Sequence, residues 1–169
     1  ATGSADGTTG LWLPRSGEEV HVLSDGGKNV LAVAFNPTGT LVATGAADGV
    51  TRVWTVAEGN RIYIFSGHTS AVDALAWSPD GHVLADGSGD RTAHLYAIEG
   101  LAGLGGVLGV LPGNKGGTSA LAFDANGRQL ATGSDDGNAR LWDLTGRGEP
   151  VRLPHEGRVD AVAFSADGH

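Results

Sequence analysis

Apolar positions along the chain come in short bursts. VLAVAF at 30–35, VDALAW at 72–77 and VDAVAF at 159–164 are six-residue runs with both faces greasy, the pattern of strands buried between neighbouring sheets rather than half exposed. A four-residue turn follows each: NPTG, SPDG and SADG, with DANG in a further copy, ending in Gly39, Gly81, Gly168 and Gly127, where glycine tolerates a tight reversal. Next comes a second strand ending in Thr-Gly-Ser or similar. A second turn carries Asp-Gly (Asp6-Gly7, Asp48-Gly49, Asp136-Gly137), and a third strand ends in Trp or Tyr. A looser fourth strand precedes the next unit, clearest in RIYIF at 61–65 and expected again near 107–111. No segment carries a helical period.

These elements recur as a unit. The stretch 30–54 returns at 72–96 and at 118–142, with partial copies at 1–12 and 159–169. Trp12, Trp54 and Tyr96 are spaced by 42 residues, and Tyr96 and Trp142 by 46. Four short antiparallel strands per repeat of that length make one propeller blade. The expected fold is therefore all-β, a β-propeller of four-stranded antiparallel blades, about four blade equivalents in all. By register the chain divides into a partial blade at 1–20, blades at 21–63, 64–106 and 107–152, and a partial blade at 153–169 that complements the first.

The repeat resembles the Trp-Asp (WD) repeat family over nearly the whole chain. Trp142-Asp143 is the family's name-giving dipeptide; the other copies read Trp12-Leu13, Trp54-Thr55 and Tyr96-Ala97. Gly67-His68 stands nine residues before Trp77 as the family's Gly-His pair does, and Pro154-His155 holds the same place before Phe164. Asp25-Gly26 and Gly113-Asn114 depart from it. The resemblance implies a buried hydrogen-bonded tetrad in each blade: the His, a Ser or Thr before the second turn, the Asp of that turn and the Trp. By position the third copy along the chain offers His68, Ser88 and Asp90 with Tyr96 in place of Trp, and the next offers Asn114 beside Ser134, Asp136 and Trp142. The one complete set, His155 with Ser4, Asp6 and Trp12, draws on both ends of the chain. The two ends are thus expected to build one shared blade.

Four blades subtend about half of a seven- or eight-bladed ring, which would expose sheet edges and apolar blade faces. The chain has no Met, and its first residue falls inside a blade pattern. It is therefore expected to be a piece of a longer polypeptide, or a half-ring that closes by self-association, two copies giving eight blades.

Composition narrows the chemistry. Cysteine is absent, which removes disulfides, thiolate metal sites and cysteine nucleophiles. The 29 Gly, far above the roughly 7 % of average proteins, fall largely on repeated turn positions. Eleven basic against 19 acidic residues give a net charge of −8 without a local basic patch, which argues against nucleic-acid and membrane partners. Only two cations, Lys28 and Lys115, are lysines, a bias that resembles G+C-rich bacterial coding. The His, Ser and Asp positions fall on repeat points, and no Gly-x-Ser-x-Gly elbow occurs, so no catalytic residue is assigned. The Gly-rich stretch 101–117 fails the phosphate-loop spacing and reads as an insertion between blades. Asp135-Asp136-Gly137-Asn138 lacks the calcium-loop pattern, and the remaining histidines lack ligand spacing, so neither metal nor cofactor is expected.

What remains is recognition by surface. The loops leading into the first strands and the second turns share one rim, and Lys28, Asn29, Thr69, Ser70, Arg91, Lys115, Asn138, Glu156 and Arg158 there vary between copies. The resemblance implies a noncatalytic protein-protein interaction scaffold, cytoplasmic and bacterial, the regulatory propeller of a larger signalling protein or a self-assembling half-ring. A propeller that takes a small ligand or carbohydrate at its central channel is the alternative.

Overall fold

The computed structural model describes residues 1–26, 28–99, 105–146 and 148–166. Gly168, His169 and the first residues of the Gly-rich stretch, 101–104, lie outside the described residues. Fifteen strands form four antiparallel sheets without crossovers, and no helix occurs among the described residues. The first sheet has three strands, β1 (Thr2–Gly3), β2 (Thr8–Trp12) and β3 (Glu19–Ser24). The second has β4 (Val30–Phe35), β5 (Leu41–Ala46), β6 (Val50–Thr55) and β7 (Arg61–Ser66). The third contains β8 (Val72–Trp77), β9 (Val83–Ser88), β10 (Ala93–Ala97) and β11 (Val107–Leu111), and the fourth β12 (Thr118–Phe123), β13 (Gln129–Ser134), β14 (Asn138–Asp143) and β15 (Val151–Pro154). They are blades of a β-propeller, referred to below as the first to fourth blade.

Local chemistry sets the reversals. Gly39, Gly81 and Gly127 close the first turns at φ of 69°, 74° and 66°, the left-handed region that favours glycine. At the second turns a carboxylate accepts the N–H two residues on: Asp6 from Thr8 (2.9 Å), Asp48 from Val50 (3.1 Å), Asp90 from Thr92 (3.0 Å) and Asp136 from Asn138 (3.0 Å). Each inner strand slips register after its first residue, which leaves Leu31, Asp73 and Ser119 outside the ladder.

The cores lie between blades. Leu11 and Leu23 pack on Val42 and Trp54; Leu41, Val53, Tyr63 and Phe65 pack on Leu84, Tyr96 and Ile98; Ala85 and Leu95 pack on Leu130 and Trp142. Successive residues of one strand, Leu41 and Val42 or Leu84 and Ala85, therefore serve opposite neighbours. Glycine lets the inner strands close in. A methyl on Gly3, Gly45 or Gly87 would lie 2.7, 2.6 or 2.7 Å from a side-chain carbon of Val30, Val72 or Thr118, the first inner residue of the next blade.

Residues 159–164 depart from expectation: they form no strand. Val159 is buried, its N–H donates to Ser134 O (3.0 Å) and its carbonyl accepts from Ser119 Oγ (2.5 Å). It thus occupies against the fourth blade the place that Val30 holds against the first, where Val30 N–H donates to Ser4 O at 3.0 Å. The reason is ladder chemistry: β4, β8 and β12 each pair with the strand after their turn, and among the described residues none follows 159–164. Among the described residues this segment does not pair with β1, and the first sheet has three strands, β1 to β3. No helix among the described residues is long and apolar enough to cross a membrane.

Candidate functional site

Polar side chains at the blade junctions form three versions of one network. In the third blade, His68 is clamped between two carboxylates, Nδ1 at 2.8 Å from Asp90 Oδ2 and Nε2 at 2.9 Å from Asp86 Oδ1. Only a doubly protonated ring donates to both. Burial alone would lower the His68 pKa, but its bonds and charge attraction to Asp86 and Asp90 outweigh this and hold it above the ordinary value. Asp90 drops to about 2: burial opposes the drop, and the Thr92 hydroxyl, the Thr69 N–H, His68 and the Thr92 N–H outweigh it. Asp86 Oδ2 accepts from Thr51 Oγ1 at 2.6 Å, a tie from the third blade to the second. The His94 ring stacks on His68 with centroids 3.8 Å apart and planes 16° from parallel, and its Nδ1 lies 3.1 Å from the Tyr96 hydroxyl.

The other blades replace imidazole with guanidinium or carboxylate. In the second, Arg52 pairs with Asp48 (2.8 Å) and lies 3.6 Å from Asp25, whose Oδ1 accepts from Thr44 Oγ1 at 2.7 Å. Burial pushes the Asp25 carboxyl up, partly offset by Thr44 and Arg52. In the fourth, Arg140 pairs with Asp136 (2.6 Å) and donates to Asn114 Oδ1 (2.7 Å), and it holds the Asp136 carboxyl well below the usual range.

Ser88, Ser134 and Ser4 do not take the expected tetrad role. Their hydroxyls accept from the N–H of Asp90, Asp136 and Asp6 inside the second turn. The indole N–H groups go two residues earlier, Trp54 to Thr44 and Trp142 to Thr132 at 3.1 Å and Trp12 to Thr2 at 2.8 Å. Register explains the correction. Trp142 pairs directly with Leu130, so its diagonal neighbour is Thr132 and Ser134 lies too far along the strand. The set drawn from both ends is likewise not brought together: the His155 side chain is exposed and makes no hydrogen bond to Ser4, Asp6 or Trp12. Asp6 is bound by Thr8 instead.

His68, Asp86 and His94 offer ligand atoms within 4.8 Å of one another. They do not fit one metal ion. Stacked, nearly parallel imidazoles carry in-plane lone pairs that run side by side instead of converging, and both nitrogens of His68 already face carboxylates.

The rim is built by mutual hydrogen bonding. In three blades a second-turn N–H (Ala47, Gly89, Asp135) donates to the carbonyl of a lead-in residue (Asn29, Ala71, Gly117) at 2.8 to 3.0 Å. In return the Thr69 and Lys115 N–H groups donate to the turn carboxylates of Asp90 and Asp136. Lys28, Asn29, Thr69, Ser70, Arg91, Lys115, Glu156 and Arg158 are exposed. Asn138 is not: it is 8 % exposed, its amide bonded to Asp136 and Arg152. Beside this rim a polar cleft of about 250 Å³ is lined by Asp73, Gly117, Thr118, Ser119, Asp135 and Arg158. Asp73 and Ser119 were not picked out by sequence reasoning. Their signal is the second place of the inner strand, where the register slips.

The sequence profile of the WD domain, G-beta repeat (WD40) matches residues 17–55, 59–96 and 105–143. The chain belongs to the WD-repeat family. Each match in this WD-repeat chain begins at or just before the outermost strand of one blade and ends on the third strand of the next, so repeat and blade are offset by one strand. No curated protein matches its sequence.

Proposed function

We propose that this WD-repeat chain is a noncatalytic protein-interaction scaffold that presents Lys28, Asn29, Thr69, Ser70, Arg91, Lys115, Glu156 and Arg158 to a protein partner. The observation that carries this reading is the rim, where lead-in loops and second turns are fixed to each other by backbone hydrogen bonds and leave these side chains exposed. A surface held by its backbone can vary its side chains without losing shape, which suits selective recognition. Simultaneous charge reversal at Lys28, Lys115 and Arg158 abolishes partner capture in side-by-side affinity experiments. An unchanged set of partners with the folded variant refutes the assignment of this face.

The inner edge of β1 is unpaired among the described strands, and 159–164 resembles the inner strands in sequence. We propose that the ring is completed by addition of such a strand to β1, from a second copy or from further blades of a longer signalling protein in the bacterial cytoplasm. Light scattering that gives twice the 17.1 kDa chain mass supports the second copy, and a stable monomer at high concentration excludes it. By register, the units proposed at 21–63, 64–106 and 107–152 are the segments such an assembly would repeat. The polar cleft favours a second reading, a small polar ligand or sugar bound beside the rim. Calorimetric titration with a glycan and metabolite panel distinguishes it.

A further inference from the structure

The third blade differs from its neighbours at matched positions in a concerted way. Asp86 stands where the second and fourth blades have Thr44 and Thr132, His94 where they have Arg52 and Arg140, and Tyr96 where they have Trp54 and Trp142. In the neighbours a permanent guanidinium neutralises the turn carboxylate. In the third blade that charge rests on an imidazole, and a second imidazole lies flat against it at 3.8 Å. Both rings are buried.

We infer that the His68–His94 stack is a proton-binding site that makes the junction of the second and third blades acid-labile, while the Arg52 and Arg140 networks remain locked. The ring between Asp86 and Asp90 holds the first proton. A second proton must go to His94, whose nitrogens face the Tyr96 and Thr92 hydroxyls among the described residues, and whose ring then lies parallel to an imidazolium at 3.8 Å, too close for a water to intervene. The rings relieve the repulsion by separating. Separation draws His68 from Asp86, which also accepts the Thr51 bond that joins the two blades.

Among the described residues the charges that act on His94 are those of His68, Asp86 and Asp90. From the second blade, Thr51 donates to Asp86 and Phe65 stacks on Tyr96 at 4.1 Å, in an apolar cluster that also holds Val53 and Tyr63. From β11, Val110 lies opposite His94 in the ladder. β8 brings apolar Ala74 and Leu75 next to Asp86 and Gly87; its carboxylate, Asp73, lines the cleft at the junction with the fourth blade. Among the described residues, the titratable groups that bond, stack on or act by charge on His94 are thus His68, Asp86, Asp90 and Tyr96. Burial and the His68 charge hold the His94 pKa below its ordinary value, consistent with this order of protonation.

The test is a histidine side-chain NMR titration of the whole chain, with amide exchange followed in parallel. His68 titrates above and His94 below the ordinary midpoint of about 6.5. His68→Gln moves the His94 midpoint upward. Between about pH 7 and pH 5 the range natural to imidazole is crossed, and exchange at Thr51 and Asp86, corrected for intrinsic chemistry, rises about tenfold or more. Exchange at Thr132 and Arg140 does not. His94→Gln abolishes the acid opening. Coincident midpoints in the unmodified chain overturn the inference, as does equal acid opening of the fourth blade or opening that persists in folded His94→Gln.

Discussion

Gly45→Ala tests whether close approach between blades dictates glycine on the second strand. The φ of Gly45 is not positive, so alanine fits the backbone and the contact alone decides the outcome. The added methyl would sit 2.6 Å from Val72 Cγ1, 3.1 Å from its Cβ and 3.2 Å from its carbonyl oxygen. Carbon atoms rest at about 3.5 to 4.0 Å, so an overlap of about 1 Å must be relieved. Val72 is fully buried and cannot swing away, and its backbone belongs to β8. Overpacking of this kind costs about 1–3 kcal/mol, against about 0.4–1 kcal/mol regained from a stiffer unfolded chain. The net expectation is a loss of about 1–2 kcal/mol. Val72→Ala alone removes buried apolar surface and costs about 2 kcal/mol. In the double variant the new methyl enters space that Cγ1 has left, so the two losses do not add, and the coupling is about 1 kcal/mol or more in the favourable direction. Urea unfolding followed by tryptophan fluorescence, with m unchanged, reads all four corners of the cycle. Gly45→Ala within about 0.5 kcal/mol of the unmodified chain, or additivity within the same margin, refutes the reasoning.

Trp142→Phe leaves the buried Thr132 hydroxyl without its indole donor and lowers stability by about 1–3 kcal/mol; adding Thr132→Val recovers part of the loss in the same urea assay. Asp90→Asn lowers Tm at pH 7, because a carboxylate held at about 2 against an ordinary 3.8 stabilises the fold above 3.8 and loses that contribution as pH falls through 2. A Tm series against pH should therefore show the two proteins converging in acid. Asp25→Asn acts in the opposite sense. Burial raises the Asp25 carboxyl, so ionisation costs stability above 3.8, and the variant should raise Tm at pH 7 with the gain vanishing below that value; a lower Tm at pH 7 refutes it.

The blade architecture was legible because the second and third strands of the middle blades meet a neighbour on both faces and most reversals need a residue with special backbone freedom. VLAVAF, NPTG and the Asp-Gly turns report those demands directly, and β4 to β6 follow them. Arg91, at φ 78°, shows the limit: it occupies the glycine place of the third blade's second turn without the signature residue. The indole acceptors were misplaced by two residues, although counting back from the turn finds them, since 132 pairs with 140 and the ring at 142 reaches diagonally. Residues 159–164 teach a different lesson. Their pattern states which surface they can cover, but a strand exists only with a partner beside it. The His68 to Asp86 bond was beyond reach, because it depends on an aspartate standing where the repeat puts threonine.

The one-strand offset between family repeat and blade bears on how such a gene could grow. A duplication or deletion that respects the repeat boundary adds or removes an outer strand of one blade together with three strands of the next, and leaves ends that still complement each other. Every junction made this way is of a kind the array already contains, down to the glycine facing the next inner strand. Recombination between copies can therefore lengthen or shorten the array without inventing a new contact, and the arc changes by whole blades.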